Sequence, residues 1–243
     1  IAPKGAKLSV PKFDLSTTSG QIAALRNPSP NVRELGRAPL EAEGEKSIPA
    51  VRKLLADPNR FIQARATWLL AKLGSEGLSI VESRLAHKDP QVRICAFRAL
   101  RHENHRVLEH AEKLAGDSSP LVRREVALAL RYVPFEKSRD LLLKIADGYD
   151  GKDRYYVEAF GIGCTDKAEK VYAALRKKRS GKKFDPKYAG LVWRLHPVSA
   201  VNELKDWAMD KDRDDAFRRS MLFAISLIEA PQAATAMVEI AKG

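Results

Sequence analysis

The stretch Asp89-Pro90-Gln91-Val92-Arg93 decides the fold, because it recurs along the chain in recognisable copies. Each copy joins a Ser or Asp and a proline to an apolar residue, and the other three are Ser29-Pro30-Asn31-Val32-Arg33, Asp57-Pro58 with Phe61-Ile62-Gln63-Ala64-Arg65, and Ser119-Pro120-Leu121-Val122-Arg123. The apolar anchors recur every 30 residues, at Val32, Ile62, Val92 and Val122. A Ser or Asp side chain caps free backbone N–H groups, and proline fits the first helical turn. The copies therefore predict four helices that begin alike.

The first helix of each repeat is predicted to carry one apolar face. A small or apolar residue stands four positions after each anchor, and a leucine stands eight positions after it. Positions i, i+4 and i+8 lie on one face of a helix. A small middle residue lets a neighbouring helix approach closely. The predicted buried positions are Gly36, Ala66, Ala96 and Val126, with Leu40, Leu70, Leu100 and Leu130.

A second amphipathic segment follows each of these helices, so each repeat is predicted to be a helical hairpin. The segments cover residues 48–55, 78–85, 107–114 and 138–145, and looser repeats follow at 153–175, 185–209 and 214–241. One hairpin cannot cover its own apolar face, whereas stacked hairpins form a continuous core. We predict an all-α fold, an α-α superhelix or solenoid of about seven hairpins.

The first 20 residues differ from the repeats. Residues 1–20 are predicted to be an extended leader or linker, because Pro3, Gly5 and Pro11 interrupt them and no helical period is present. Residues 21–243 are predicted to form one solenoid domain, which starts with a short helix at 20–26 after the caps Ser16-Thr17-Thr18. The chain begins with Ile1 rather than Met, so we expect it to follow a removed segment or to be part of a longer protein.

The repeats resemble the short HEAT repeats of the PBS-lyase type, which makes the predicted fold a HEAT-like α-α superhelix. Their spacing of 30 residues is shorter than the roughly 40–47 residues of ordinary HEAT units. The repeat length by itself also raises the hypothesis of a phycobilin-lyase-like enzyme. Motifs of this kind are specific for the fold and say little about function.

Other stretches resemble one particular group, the multidomain haem-binding proteins of planctomycetes and verrucomicrobia. In that family a sugar-dehydrogenase-like β-propeller precedes a HEAT segment and a cytochrome domain with a CxxCH motif follows it. The resemblance implies a periplasmic or extracellular setting and a larger redox parent of the membrane-bound dehydrogenase type. This chain contains neither the propeller nor CxxCH, so no catalytic or haem residue is carried over. The stretches are Val10-Pro11-Lys12-Phe13-Asp14-Leu15-Ser16-Thr17-Thr18 with Gly20-Gln21, residues 126–133, Tyr149-Asp150-Gly151-Lys152-Asp153-Arg154-Tyr155-Tyr156 and Trp193-Arg194-Leu195-His196-Pro197.

The usual signatures of catalysis are missing from the sequence. It contains no GxSxG, P-loop, GxGxxG or CxxC motif, and no apolar run approaches the roughly 20 residues of a membrane span. We interpret Cys95 and Cys164 as free thiols in apolar surroundings, and Gly161-Ile162-Gly163 as a site of close helix packing. The neighbours His102, His105 and His110 are interpreted as loop and helix-end residues, and the acids Asp210, Asp212, Asp214 and Asp215 as helix caps. We therefore predict no catalytic, cofactor-binding or metal-binding residues and no enzyme activity for this segment.

A basic cluster is the one feature of the sequence beyond the fold. The chain has a net charge of +12, and residues 176–187 contribute half of that excess. The cluster is a candidate patch for a phosphate backbone or an acidic partner, or it is a solvated basic loop at 177–183. The repeat arginines Arg33, Arg65, Arg93 and Arg123 are predicted to pair with acids of the neighbouring repeats. The residues of the candidate patch are Arg176, Lys177, Lys178, Arg179, Lys182, Lys183 and Lys187, flanked by Tyr172, Phe184 and Tyr188.

Two main functional hypotheses follow. The first is a non-catalytic scaffold or protein-interaction segment of a larger extracytoplasmic redox protein, which binds flanking domains or another protein and needs no cofactor. The alternative is a basic, HEAT-like nucleic-acid-binding protein, and the alternative location is cytoplasmic. Its weak point is that Trp68, Trp193 and Trp207 stand at positions typical of a core rather than of a stacking surface.

Overall fold

The computed structural model describes residue 5, residues 12–180 and residues 184–242. Over these residues the chain forms helices and no β-strand, and the predicted all-α fold of helical hairpins is confirmed. None of the described helices has the length and apolar content needed to cross a lipid bilayer. The α-helices are α1 (Thr18–Arg26), α2 (Pro30–Glu43), α3 (Ile48–Lys53), α4 (Arg60–Leu70), α5 (Gly74–Ser83), α6 (Pro90–His102), α7 (Val107–Leu114), α8 (Pro120–Ala129), α9 (Phe135–Asp147), α10 (Arg154–Gly163), α11 (Ala168–Arg179), α12 (Pro186–Leu195), α13 (Val201–Met209), α14 (Asp215–Ser226) and α15 (Pro231–Lys242).

The helices fall into two compact units, Ile1–Val107 (unit 1) and Leu108–Gly243 (unit 2). The prediction that residues 21–243 form a single solenoid domain stays a prediction. Of the predicted leader, residues 1–4 and 6–11 lie outside the described residues. The first helix begins at Thr18, slightly earlier than predicted, and Thr17 caps it by accepting a hydrogen bond from the Gly20 amide.

The helix starts follow the predicted repeats with two corrections. Asp89 caps α6 as predicted, through a 2.8 Å hydrogen bond from the Gln91 amide to its Oδ1. In the second copy the cap of α4 is Asn59 rather than Asp57. The predicted caps at Ser29 and Ser119 make no side-chain capping hydrogen bond, and at these helices the proline at the first position is what favours the start.

A polar side chain two residues before each cap position closes the turn into the first helix of the repeat. For example, Asp57 Oδ1 accepts a 2.8 Å hydrogen bond from the Asn59 amide. This acceptor recurs every 30 residues, so the turn belongs to the repeat just as the anchors do. The four acceptors are Asn27, Asp57, His87 and Asp117.

The predicted apolar face is largely confirmed. All eight positions four and eight residues after the anchors are buried. The anchors themselves differ, because Ile62 and Val122 are buried whereas Val32 and Val92 are only half-buried. Gly36 shows why the middle position is small: a Cβ there would lie 2.3 Å from the Gln21 carbonyl oxygen, where α1 crosses α2.

In unit 2 the first helices of successive repeats pack side by side. Helix α10 packs on α8 and on α12, and the second helices α9 and α11 pack on each other. The predicted close packing at Gly161-Ile162-Gly163 is confirmed, since a Cβ on Gly163 would lie 2.5 Å from the Ala127 carbonyl oxygen of α8. Helix α13 packs on α14 and α15, which completes the helical hairpins of this unit.

Candidate functional site

The predicted basic patch lies on unit 2 at the end of α11 and the start of α12. The four residues from Arg176 to Arg179 form the last turn of α11, so the prediction of a loop beginning at Lys177 is wrong for this part. Lys187 lies in the first turn of α12 and is exposed. Lys182 and Lys183 lie outside the described residues. Basic residues in a last turn interact favourably with the negative end of the helix dipole, which explains why the helix includes them.

A groove between α9 and α11 runs beside this turn. Its volume is about 510 Å³. Lys178 forms an ion pair with Asp147 across the groove, and Arg139 lies 3.7 Å from the neighbouring Asp140. The groove therefore carries four cationic and two acidic side chains, with its cations on both helices. It is lined by Arg139, Asp140, Leu143, Lys144, Asp147, Ala174, Lys177 and Lys178.

Among the described residues, three cationic side chains in and beside this groove have no carboxylate near enough to form an ion pair. Lys144 and Lys177 line the groove, and Arg176 stands next to Lys177; all three are exposed. Within the described part of the chain none of the three has an ion-pair partner. We call these three residues together with Arg139 and Lys178 the α9–α11 surface.

Arg179 has a structural role, unlike its neighbours. Its guanidinium forms a 2.7 Å ion pair with Asp185 and lies 4.9 Å from the centre of the Tyr188 ring. Asp185 also caps α12 by accepting a hydrogen bond from the Lys187 amide at 2.9 Å. Arg179 therefore ties the end of α11 to the start of α12.

The tyrosines that flank the patch in sequence belong to the core. Tyr172 and Tyr188 are buried, and their hydroxyl groups donate to the same oxygen of Glu203, at 2.8 and 3.1 Å. Burial, and then the nearby charge and hydrogen bonding of Glu203, raise the pKa of both tyrosines. They therefore remain neutral hydrogen-bond donors that join α11 and α12 to α13. Phe184 packs edge-on against Trp207 and Phe217.

The repeat arginines donate to backbone carbonyls. Arg123 donates to the carbonyl oxygens of Asp117 at 2.6 Å and Gly148 at 2.8 Å, and to the Tyr156 hydroxyl at 2.9 Å. The prediction that these arginines pair with acids of the next repeat is therefore wrong for Arg123. It is wrong in the same way for Arg33 and Arg65, whose described partners are all carbonyl oxygens.

Gln63, not Arg65, takes the place of the repeat arginine in the second copy. Gln63 Nε2 donates to the Asp57 carbonyl at 2.7 Å, just as Arg123 donates to the carbonyl of Asp117. Arg65 stands two residues later and reaches Leu25 and Asn27 at the end of α1. The sequence prediction named Arg65 because it compared residue types. The distance from the anchor instead identifies Gln63, which stands one residue after Ile62.

The histidine and aspartate clusters are drawn into local contacts. His102 packs edge-on against Trp68, and His105 Nε2 lies 2.9 Å from Glu82 Oε1, so His105 is more than the solvated residue that we predicted. Asp214 caps α14, as predicted. Asp210 accepts a 2.9 Å hydrogen bond from Arg213.

Three aromatic side chains, those of Trp68, Tyr132 and Tyr155, are exposed. Trp68 is 37% exposed, so its predicted core position is wrong. Tyr132 is 86% exposed and Tyr155 is 72% exposed, and an arginine guanidinium lies over each ring, from Arg131 and Arg124 respectively. The sequence around Tyr132 and Tyr155 does not distinguish these exposed tyrosines from buried ones.

Both cysteines are free thiols. Cys164 is buried as predicted, and burial raises its pKa to about 12. Cys95 is half-buried, and burial also raises its pKa. Because a thiolate is the reactive form of cysteine, both thiols are poor nucleophiles at neutral pH.

No protein-family model matches the sequence, and no curated protein matches it either. Among solved structures, an engineered protein is 15% identical with a TM-score of 0.43, over 92% of this chain and 71% of that chain. The complex of CpcE and CpcF of phycocyanin lyase from Nostoc sp. PCC7120 is 14% identical with a TM-score of 0.42, over 100% of this chain and 99% of that chain. At these values neither likeness assigns a function to this chain.

Proposed function

We propose that this chain is a non-catalytic helical-repeat scaffold whose α9–α11 surface binds an acidic segment of a protein partner. The observation that supports the proposal most strongly is the charge of the groove between α9 and α11. Cations line it from both helices, and one of its two acids, Asp147, is already paired with Lys178. Lys144, Lys177 and Arg176 are left to attract an anion.

The chemistry of these side chains favours a flexible acidic peptide. Lysine presents a strongly hydrated point charge on a mobile stem, which does not fix the geometry of its partner. Such a surface contributes to the rate and specificity of association more than to affinity. We therefore expect modest affinity that falls as the salt concentration rises.

The test is fluorescence anisotropy with a labelled peptide of alternating Asp, Glu and Gly residues. Lys144→Glu combined with Lys177→Glu should weaken binding about tenfold at low salt, because each reversal replaces an attraction by a repulsion. Lys211→Glu is the matched control, since Lys211 is an exposed lysine of the same unit outside the groove. Equal weakening by the control and the double variant would refute a localised surface.

We also propose that the scaffold is a segment of a larger extracytoplasmic dehydrogenase–cytochrome protein. The support is the sequence resemblance at residues 10–18 with 20–21, 126–133, 149–156 and 193–197. The test is an immunoblot of source-cell fractions with a haem stain on the same gel. A periplasmic band far above 27.0 kDa that stains for haem is the expected result, and a haem-negative cytoplasmic band near that mass contradicts it.

The second candidate function is binding of single-stranded nucleic acid on unit 2. The observation that favours it is the pair of exposed tyrosines, Tyr132 and Tyr155, each beside an arginine. Stacking of a base on an aromatic ring contributes about 1–3 kcal/mol. If this function is correct, Tyr132→Ala should weaken binding of a labelled oligonucleotide by about tenfold. No loss with Tyr132→Ala would remove this candidate.

A further inference from the structure

A second groove lies in unit 1, between α2 and α4. Its volume is about 620 Å³, within the range of about 300–1,000 Å³ that is usual for ligand pockets. The buried side chains of Leu25 and Leu69 line its base, and the partly exposed indole of Trp68 forms part of its wall. An apolar base with an aromatic wall suits an apolar side chain of a ligand.

The acids of this groove are already paired. Arg37 forms ion pairs with Glu34, at 2.6 Å, and with Glu41. Lys72 lies 3.3 Å from Glu103 and 3.9 Å from Glu41. The two glutamates of the lining therefore have cationic partners on the protein itself.

Two arginines of the same groove, Arg33 and Arg65, are bonded to backbone carbonyls instead of carboxylates. Arg33 donates to the Pro28 carbonyl, and Arg65 donates to the carbonyls of Leu25 and Asn27. Within the described residues neither guanidinium has a carboxylate partner. Burial lowers the pKa of Arg65, and repulsion by the positive charge of Arg33 lowers it further. An anion bound between them would relieve this repulsion.

We infer that the α2–α4 groove binds a peptide segment of a partner protein in which a carboxylate stands next to an apolar side chain. Arg33 and Arg65 receive the carboxylate, and Trp68 with the apolar base receives the side chain. Charge complementarity selects this occupant, because the unbalanced charge in the groove is positive and lies beside the apolar wall. The site is in unit 1 and does not depend on the α9–α11 surface of unit 2.

The experiment uses the whole chain and follows the indole N–H signals of its three tryptophans by nitrogen–proton NMR. Trp68→Phe assigns the Trp68 signal. The probe is acetyl-Gly-Phe-Asp-Gly-amide, and its control is the same peptide with Asn in place of Asp. We expect the Asp peptide to move the Trp68 signal and to leave those of Trp193 and Trp207 in place, with the Asn peptide binding about tenfold more weakly.

Arg33→Gln removes the charge of the arginine and keeps a side-chain N–H donor at the same position. The next repeat has glutamine there, and Gln63 donates to the Asp57 carbonyl of its turn, whereas Arg33 donates to the Pro28 carbonyl, one residue later in its own turn. This variant should weaken binding of the Asp peptide about tenfold. The same change two repeats later, Arg93→Gln, lies outside the groove lining and should leave binding unchanged.

Three results would overturn the inference. One is a Trp68 signal that does not move at about 10 mM peptide, which is ten times a millimolar dissociation constant. Another is equal binding of the Asn and Asp peptides, which excludes recognition of the carboxylate. The third is binding that Arg33→Gln leaves unchanged while the spectrum shows a folded protein.

Discussion

Arg123 links two successive repeats of unit 2 through a single guanidinium group. Its donors reach the Asp117 turn, the Gly148 carbonyl after α9 and the Tyr156 hydroxyl on α10. The sequence predicts an arginine at this position and an acidic partner for it. Two of the observed acceptors are backbone carbonyls. Because every residue has a carbonyl group, the sequence does not show which of them an arginine will reach.

Arg123→Lys should lower the free energy of unfolding by about 2–3 kcal/mol, because lysine cannot reach three acceptors in different directions and leaves some of them unpaired. Chemical denaturation measures the change. The neighbouring Arg124→Lys is the control and should change stability by less than about 0.5 kcal/mol, since the Arg124 guanidinium lies over the exposed Tyr155 ring and has no hydrogen bond or ion pair among the described residues. Equal effects of the two variants would contradict the role given to Arg123.

Asp57 gives stability in unit 1 a dependence on pH. The Asn59 amide and Arg26 lower the pKa of this carboxyl, with burial acting in the opposite direction. A lowered folded-state pKa means that the stabilisation is fully present above the ordinary Asp pKa of about 3.9 and is lost as the pH falls through the folded-state value.

Asp57→Asn should therefore destabilise the protein near neutral pH and make little difference in strong acid. Asparagine keeps the acceptor for the turn, as Asn27 does in the first repeat, so the variant removes mainly the charge. Urea unfolding of both proteins across the acid range measures the difference. A difference in stability that stays constant with pH would contradict this account.

At the scale of the helix, Lys167 holds the end of α8. Its buried ammonium donates to the carbonyls of Leu130 at 2.7 Å, Arg131 at 3.1 Å and Val133 at 2.8 Å. These carbonyls belong to the C-cap residue Leu130 and to the turn that follows it, so the ammonium group lies at the negative end of the helix dipole, where a cation is stabilising. Burial lowers the pKa of Lys167, so these three bonds offset the cost of burying its charge.

Lys167→Met should lower the unfolding free energy by about 2–3 kcal/mol, because it removes three hydrogen bonds from a charged donor at the end of α8. Lys170→Met is the matched control on the same helix. Lys170 is an exposed partner of Glu136, and its loss should cost less than about 1 kcal/mol. Thermal unfolding of both variants distinguishes them, and an unchanged melting temperature for Lys167→Met would rule out its capping role.

The elements themselves were largely predictable, since the 30-residue period places most helices within a few residues of their true bounds. Two errors concern positions that keep the 30-residue spacing but change residue type. Asn59 replaces Asp57 as a cap, and Gln63 replaces the repeat arginine. Helix α11 continues to Arg179 because arginine and lysine are good helix formers, although the sequence reads as a basic loop from Lys177.

At the scale of the whole molecule, the excess positive charge is concentrated in one part of the chain. Residues 176–187 carry half of the net charge of +12, and their described part lies beside the groove between α9 and α11. The sequence predicted the cluster but not the groove, because Arg139 and Lys144 are more than 30 residues away in the chain. The unit 1 groove escaped prediction for the same reason, since Arg33 and Trp68 meet only after folding.

The most direct test of the scaffold is a side-by-side measurement of two ligands on the same samples. An acidic peptide and a single-stranded oligonucleotide of equal net charge are titrated into the natural protein and into the Lys144→Glu, Lys177→Glu variant. We expect tighter binding of the peptide and about a tenfold loss of peptide affinity in the variant. Tighter binding of the oligonucleotide, or peptide affinity that the variant leaves unchanged, would contradict the proposed scaffold function.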